Sequence, residues 1–141
     1  MIEVKEIGVN MSVLDHVSIA VPDFATARPF YDAIMEALGV EKVYDLDDAI
    51  GYGIRCHAGE DSHTYLAIYL SLDANFNNKR HWCFKARTRE QVRAFFQAGI
   101  EQGGRDDGAP GLRVDYHPHY YGAFLIDPAG NRVEAVCHRA E

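Results

Sequence analysis

The sequence is poor in basic residues and has no long apolar segment. Lysine and arginine together number 14, against 21 aspartate and glutamate residues, which gives a formal net charge of -7. Binding to nucleic-acid backbones requires a concentrated basic surface, so we expect no nucleic-acid partner. No apolar run approaches the roughly 20 residues of a membrane-spanning helix, and the N-terminus lacks a signal-peptide pattern. The sequence therefore predicts a cytoplasmic protein with no membrane partner.

Cysteine is also scarce. Cys56, Cys83 and Cys137 lie far apart and form no Cys-x-x-Cys pair. This spacing argues against a disulfide framework and a zinc knuckle, and it is typical of free thiols in a reducing compartment. The 141 residues, 48% of them hydrophobic, are enough to predict one compact domain with a substantial core.

The sequence does contain an internal repeat with an offset of 65 residues. The offset aligns His16-Val17-Ser18-Ile19 with His81-Trp82-Cys83-Phe84, Arg28 with Arg93, Phe30-Tyr31 with Phe95-Phe96, and Gly39 with Gly104. One gapless offset thus relates a strand, a helix and a helix stop in two halves of the chain. We predict an N-terminal extension over residues 1–12 and a single domain over 13–141. Within it, module one spans about 13–74, a linker 75–79 and module two about 80–138.

Each module is predicted to contain a strand, a helix and three further strands. Residues 14–21 and 81–86 alternate between apolar and polar, as strands with one buried face do. Thr88-Arg89-Glu90-Gln91 has the form of a capping box, and Pro29 requires the first helix to begin near Thr26. The remaining strands are predicted at 42–47, 51–56, 64–71, 121–127 and 131–137, with 105–120 a loop containing one short strand. The predicted fold class is α+β, with tandem βαβββ modules forming a cupped mixed sheet and helices on its outer face.

The predicted sheet face opposite the helices carries four polar residues. Alternation places His16, His81, Tyr69 and Glu134 there, and the 65-residue offset maps Tyr69 onto Glu134. Each residue alone is more often an ordinary surface group. Two imidazoles and one carboxylate on one face can hold a divalent metal ion and leave positions open for substrate. We therefore predict a metal site formed by His16, His81 and Glu134, for Zn, Ni, Mn, Co or Fe.

Loop 113–121 supplies candidates for substrate contact. We predict that His117 acts as a general acid or base and that Tyr121 donates a hydrogen bond to a bound oxygen. The alternative is that Tyr120 and Tyr121 pack at the rim of the site while His119 faces solvent. Lys85 and Arg132 fall on the polar face by alternation, where they either attract an anionic substrate or lie solvated at strand ends.

Several motifs together resemble the vicinal oxygen chelate superfamily, which includes glyoxalase I, bleomycin-resistance proteins, fosfomycin-resistance transferases and extradiol dioxygenases. These motifs are Leu14-Asp15-His16-Val17, the helix from Phe30-Tyr31 to Leu38-Gly39, His81 with Phe84 and Ala86, and Asp127-Pro128-Ala129-Gly130-Asn131-Arg132-Val133-Glu134. A bacterial glyoxalase-like subgroup is similar in a further segment. That segment is Gly108-Ala109-Pro110-Gly111-Leu112-Arg113, followed by His117-Pro118 and Tyr120-Tyr121.

The resemblance implies metal ligands on the first and last strands of the modules, at His16, His81 and Glu134. Tyr69 departs from the four-ligand glyoxalase I pattern, because a neutral phenol is a poor ligand for most divalent ions. The implied function is a metal-dependent lyase or isomerase that acts on a small oxygenated substrate. An extradiol-type dioxygenase and a metal-free sequestering protein remain alternatives. Modules of this kind bury their sheet edges by pairing, so we expect a homodimer, with each site completed within one chain or across two.

Overall fold

The computed structural model describes residues 13–54, 58, 63–72 and 80–141. The first half of the chain comprises β1 (His16–Val21), α1 (Phe24–Ala37), β2 (Lys42–Asp45), β3 (Ala49–Ile54) and β4 (Thr64–Leu70). The second half comprises β5 (His81–Lys85), α2 (Arg89–Glu101), β6 (Arg105–Leu112), β7 (Tyr121–Ile126) and β8 (Arg132–Cys137). The predicted extension over 1–12 and the predicted linker over 75–79 lie outside the described residues.

The two halves form four-stranded mixed sheets of the same topology. The strand orders are β1-β4-β3-β2 and β5-β8-β7-β6. In each sheet the first and last strands of the module run parallel and the other neighbours run antiparallel. The predicted α+β fold of tandem βαβββ modules is therefore confirmed, with β1 and β5 as edge strands of their sheets.

Helix α2 packs against β6, β7 and β8, and the two helices pack against each other. Gly99 of α2 permits a close approach, because a Cβ atom there would lie 2.3 Å from Leu125 Cδ1 on β7 and 3.2 Å from Ile34 Cγ2 on α1. Of the nine strand residues predicted from alternation to face the helices, five are buried, Val17, Trp82 and Phe84 are half-buried, and Leu70 at the end of β4 is 41% exposed. The buried set includes Ile19, Leu66, Ile68, Val133 and Ala135. Within the described part of the chain, no helix has the length and apolar character needed to cross a membrane.

Several predicted element boundaries are wrong, among them the start of β3, which lies at Ala49 rather than at residue 51. Helix α1 begins at Phe24 rather than near Thr26, because the side chain of Asp23 caps it by accepting a hydrogen bond from Thr26 N at 2.9 Å. Pro29 therefore lies beyond the first turn of the helix. In the second module β6 is an eight-residue strand rather than a short one within a loop, with register shifts near Gly108, whose φ is +150°.

A buried polar contact joins α1 of the first module to the β7–β8 turn of the second. The Tyr31 hydroxyl donates to Asp127 Oδ2 at 2.5 Å, and both residues are buried. Asp127 Oδ1 accepts from the backbone N–H groups of Ala129, Gly130 and Asn131 at 2.7–2.8 Å. The Asp-Pro-Ala-Gly-Asn segment is thus a hairpin turn, as predicted, whose carboxylate also binds the other module.

Candidate metal site

Glu134 is a buried carboxylate on the sheet face that the helices leave open. It lies on β8, with Cys83 of β5 and Phe124 of β7 as its cross-strand neighbours. Its side chain is 3% exposed. The Tyr120 hydroxyl donates a hydrogen bond to Oε2, and His81 Nε2 lies 3.2 Å from Oε1. Because burying a carboxylate costs free energy unless its oxygens have partners, this group of residues is a candidate site.

The separation of His81 and Glu134 fits a shared metal ion. Ligand bonds of about 2.0–2.2 Å, at the 90° of an octahedral site or the 109° of a tetrahedral one, place two donor atoms about 2.8–3.6 Å apart. The 3.2 Å between His81 Nε2 and Glu134 Oε1 lies within this range. An imidazole nitrogen and a carboxylate oxygen are also suitable donors for the predicted ions. The fold therefore brings together two of the three predicted ligands in a geometry that a metal ion could occupy.

His16, the third predicted ligand, lies in the first sheet. Its ring stacks on Tyr65 with the centroids 4.9 Å apart, and its Nδ1 lies 2.7 Å from Asp15 Oδ1. The other carboxylate oxygen of Asp15 is 2.6 Å from His63 Nε2. Hydrogen bonds from His16 and His63 hold the pKa of Asp15 below its usual value. Among the described residues, no three His, Cys, Asp or Glu side chains form a group that could hold a metal ion.

The counterpart of Glu134 in the first module is Ala67, not Tyr69. Cys83 pairs with Glu134 across the parallel strands of the second sheet, and its repeat counterpart Ser18 pairs with Ala67 in the first. The prediction from the 65-residue offset fails in the last strand because the chain between the paired positions is two residues longer in the second module. Tyr69 lies near the end of β4 and is 45% exposed.

Tyr120, and not Tyr121, contacts the buried carboxylate. Neighbouring residues of a strand point to opposite faces, and Tyr121 lies on the helix side. The guanidinium groups of Arg89 and Arg93 lie 5.1 and 5.8 Å from the centre of its ring, and Arg93 donates a 3.3 Å hydrogen bond to its hydroxyl. Burial and the neighbouring Glu134 raise the pKa of Tyr120. Its hydroxyl therefore stays protonated at neutral pH and remains a hydrogen-bond donor.

Solved structures identify the family of this fold, although no protein-family model matches the sequence and a search of curated proteins finds no match. A glyoxalase/bleomycin resistance protein from Albidiferax ferrireducens T118 is 30% identical in sequence, with a TM-score of 0.74. The match covers 91% of this chain and 100% of that one. The chain belongs to the glyoxalase/bleomycin resistance family.

Other members extend this likeness. A glyoxalase candidate from Bacillus halodurans is 27% identical, with a TM-score of 0.65 and coverage of 92% of this chain and 98% of that one. A glyoxalase/bleomycin resistance protein/dioxygenase family enzyme from Burkholderia phytofirmans PsJN has the same TM-score, covering 91% and 100%, but at 18% identity it shows the fold alone. The resemblance to the vicinal oxygen chelate superfamily is confirmed. These names cover several activities, so family membership does not select one reaction.

In this member of the family, His117 lies beside Tyr120 rather than beside Glu134. Its Nδ1 accepts a 3.0 Å hydrogen bond from the backbone N–H of His119, which places the proton of the neutral ring on Nε2. That nitrogen is 2.9 Å from Nδ1 of His138. The His117 ring meets the Tyr120 ring edge-on at 5.6 Å. Both nitrogens thus have protein partners, and the ring supports the side chain that binds the carboxylate.

Cys83, Lys85 and Arg132 differ in what they add to the site. Partial burial of the thiol and the nearby Glu134 carboxylate raise the pKa of Cys83 to about 12, so it is no nucleophile at neutral pH. Arg132 is paired with Asp107 at 2.8 Å. Lys85 is exposed. Of the two basic residues predicted on the polar face, Arg132 is therefore committed to an ion pair.

A cavity of about 670 Å³ lies between the edge strands β1 and β5. Its size is within the range of small-molecule sites. Polar and charged side chains line part of it, namely His16, Glu41, Thr64, Tyr65, Cys83 and Lys85, and most of the remaining side chains are apolar. Those apolar residues include Val17, Leu66, Trp82 and Phe84.

Proposed function

We propose that this protein is a metal-dependent lyase or isomerase of the glyoxalase type that acts on a small oxygenated substrate. The observation that carries the proposal is the buried Glu134 carboxylate, 3.2 Å from His81 Nε2 on an open sheet face. A divalent ion held by these residues supplies Lewis acidity, which stabilises negative charge on neighbouring substrate oxygens. Family membership supports this class of function without selecting the reaction.

Tyr120 has a positioning role in this proposal. Its hydroxyl donates to Oε2 of Glu134, and this contact leaves Oε1 directed toward His81. Partners that fix a ligand's orientation in this way strengthen metal binding. Because the pKa of Tyr120 is raised, the contact persists throughout the neutral pH range.

We also propose that His16 completes the site from a second copy of the chain. The His16 and His81 side chains are 44% and 47% exposed, so both remain accessible to a partner. In a two-fold homodimer, the surface of each copy that carries His16 can meet the surface of the other copy that carries His81 and Glu134, and two equivalent sites result. A His16 face meeting a face with His81 and Glu134 would provide the three ligands.

Elemental analysis of the purified protein tests the metal site. Near one equivalent of Mn, Fe, Co, Ni or Zn per chain is expected in the wild type, and none in His81→Ala or Glu134→Ala. His119→Ala removes an exposed histidine of the nearby loop and should keep the metal. Wild-type protein that takes up no metal after incubation with each ion would refute the metal-dependent function.

Mixed dimers test where His16 acts. Chains carrying His16→Ala and chains carrying Glu134→Ala, each with a different affinity tag, are produced together and the heterodimer is isolated. If His16 acts across the interface, each homodimer binds no metal, whereas the heterodimer binds one ion per two chains because one of its sites is intact. A heterodimer without metal would show that each site is completed within one chain.

A metal-free sequestering protein is the second candidate function. The cavity between β1 and β5 favours it, because aromatic and aliphatic side chains such as Trp82, Phe84 and Leu66 line it. The extradiol dioxygenase alternative depends instead on the identity of the ion. Iron in the elemental analysis, together with oxygen uptake in the presence of a catechol, would favour it over the lyase or isomerase.

A further inference from the structure

Arg113 lies on the same open sheet face as the His81–Glu134 pair. Leu112 at the end of β6 pairs with Tyr121, and the next residue, Arg113, donates its backbone N–H to Tyr120 O at 2.7 Å. Residues paired across two antiparallel strands have side chains on one face. Arg113 therefore points to the side on which Tyr120 contacts the carboxylate of Glu134.

The guanidinium group of Arg113 is held in one place. Nη1 donates to Gly111 O and Nη2 donates to Ala109 O, both at 2.8 Å, and Cζ lies 5.5 Å from the centre of the Phe124 ring. A Cβ atom at Gly108 or Gly111 would lie 3.2 Å from a guanidinium nitrogen. The two glycines of this segment thus leave the room that the arginine occupies.

The positive charge of Arg113 has no carboxylate partner among the described residues. Arg132 on the same sheet, in contrast, pairs with Asp107 at 2.8 Å. A guanidinium has five N–H donors in a planar fork, and backbone carbonyls use only two of those of Arg113. The fork matches a carboxylate in geometry and charge. A half-buried, immobilised cation that meets no carboxylate in the part of the chain the structure describes, in a protein of net charge -7, indicates an anionic ligand.

Phe124 connects Arg113 to the candidate metal site. It is the cross-strand partner of Glu134, and its ring centre is 6.4 Å from that of His81. We propose that the substrate is a small organic acid whose carboxylate binds Arg113 and whose other oxygens extend over Phe124 toward His81 and Glu134. The second contact rests on the proposed function, whereas the contact with Arg113 does not need the metal.

Two probes of equal carbon skeleton test this inference. Pyruvate carries a carboxylate where hydroxyacetone carries a CH₂OH group, and both are titrated by NMR into metal-loaded wild type, Arg113→Gln and Arg87→Gln. The guanidinium of Arg113 forms charged hydrogen bonds with a carboxylate, so the wild type should bind pyruvate at least about tenfold more tightly than Arg113→Gln does. Hydroxyacetone affinity and metal content should not change. Arg87→Gln, an equal change of charge at an exposed arginine, should behave as the wild type.

Equal affinity of Arg113→Gln and wild type for pyruvate would overturn the inference and leave Arg113 as a clamp for its loop. If the wild type binds no metal, the same titrations of metal-free protein separate the two proposals. If metal-free wild type still prefers pyruvate to hydroxyacetone and Arg113→Gln does not, the carboxylate-binding site at Arg113 is supported. The metal-dependent function is then refuted on its own. If Arg113→Gln does not fold, the side-chain Nε–H resonance of Arg113 in the wild type decides. Its shift must respond to pyruvate and not to hydroxyacetone.

Discussion

Removing the hydroxyl of Tyr31 should destabilise the protein by about 2 kcal/mol. That hydroxyl donates to Asp127 Oδ2 at 2.5 Å, between two buried residues of different modules. A hydrogen bond to a charged group contributes about 1.5–3 kcal/mol. Tyr31→Phe leaves Asp127 Oδ2 with the 2.9 Å hydrogen bond from Asn131 Nδ2, so the carboxylate keeps a partner and the loss stays near the middle of this range.

Urea denaturation and a thermal melt, both at one protein concentration, measure this loss. A domain of 141 residues loses about 3 °C in Tm per kcal/mol, so a decrease of about 6 °C is expected. Tyr52→Phe is the matched control, because the Tyr52 hydroxyl donates to Asp32 Oδ1 at 2.8 Å and Asp32 is reached by solvent. Water can replace that contact, so its loss should cost no more than about 1 kcal/mol. Equal losses for the two variants would refute the reasoning from burial.

The same hydroxyl gives stability a dependence on alkaline pH. Burial and the nearby Asp127 raise the pKa of Tyr31 well above its usual value of 10.0. Above about pH 10 the unfolded state releases this proton while the folded state retains it, so stability falls as the pH rises. One such proton contributes about 1.4 kcal/mol per pH unit. The unfolded tyrosine is only half ionised at pH 10, so Tyr31→Phe should lose about 1 kcal/mol less stability than the wild type between pH 10 and 11. Parallel curves would contradict the assignment.

Two further changes test the site and the packing of the helices. Tyr120→Phe should weaken metal binding about 10–100-fold in a chelator competition, because the ligand loses its orienting partner, while Tyr121→Phe should leave it unchanged. Equal affinities would show that the hydrogen bond does not position the ligand. Gly99→Ala should cost about 1–3 kcal/mol in urea denaturation, since its Cβ would lie 2.3 Å from Leu125 Cδ1. Gln97→Ala on the exposed side of that helix should hardly change the free energy of unfolding. An equally small change for Gly99→Ala would mean that the helix can move away from Leu125 and Ile34 at little cost.

Local patterns predicted most of the elements because each pattern has a direct structural cause. Thr88 caps α2 and accepts from Gln91 N at 3.1 Å, as the capping box requires. Helix α1 begins earlier than the position of Pro29 predicts, because Asp23 caps the helix further upstream. Strand β6 could not be predicted from its glycines and proline, since its pairing with β7 and not its own propensity forms it.

The face on which the candidate ligands lie was predictable where it depends on alternation within each strand. His81 and Glu134 share a face for that reason, and counting by twos from Phe124 also places Tyr120 there, a signal available in the sequence. The prediction that Tyr69 corresponds to Glu134 required the 65-residue offset to hold along the whole repeat. The two-residue difference between the modules has no local signature, and only the pairing of Ser18 with Ala67 exposes it.

The two modules contribute unequally to the open face. In the first sheet the position of Glu134 is held by Ala67, beside Gly51. A Cβ atom at Gly51 would lie 2.3 Å from the Tyr44 ring, so that ring covers the position at which the second sheet carries Phe124. The first module therefore retains His16 as its candidate ligand, whereas the second provides two. If His16 acts across a two-fold interface, as we propose, each one-ligand face meets a two-ligand face. The duplicated fold then yields one three-ligand site per chain instead of two incomplete ones.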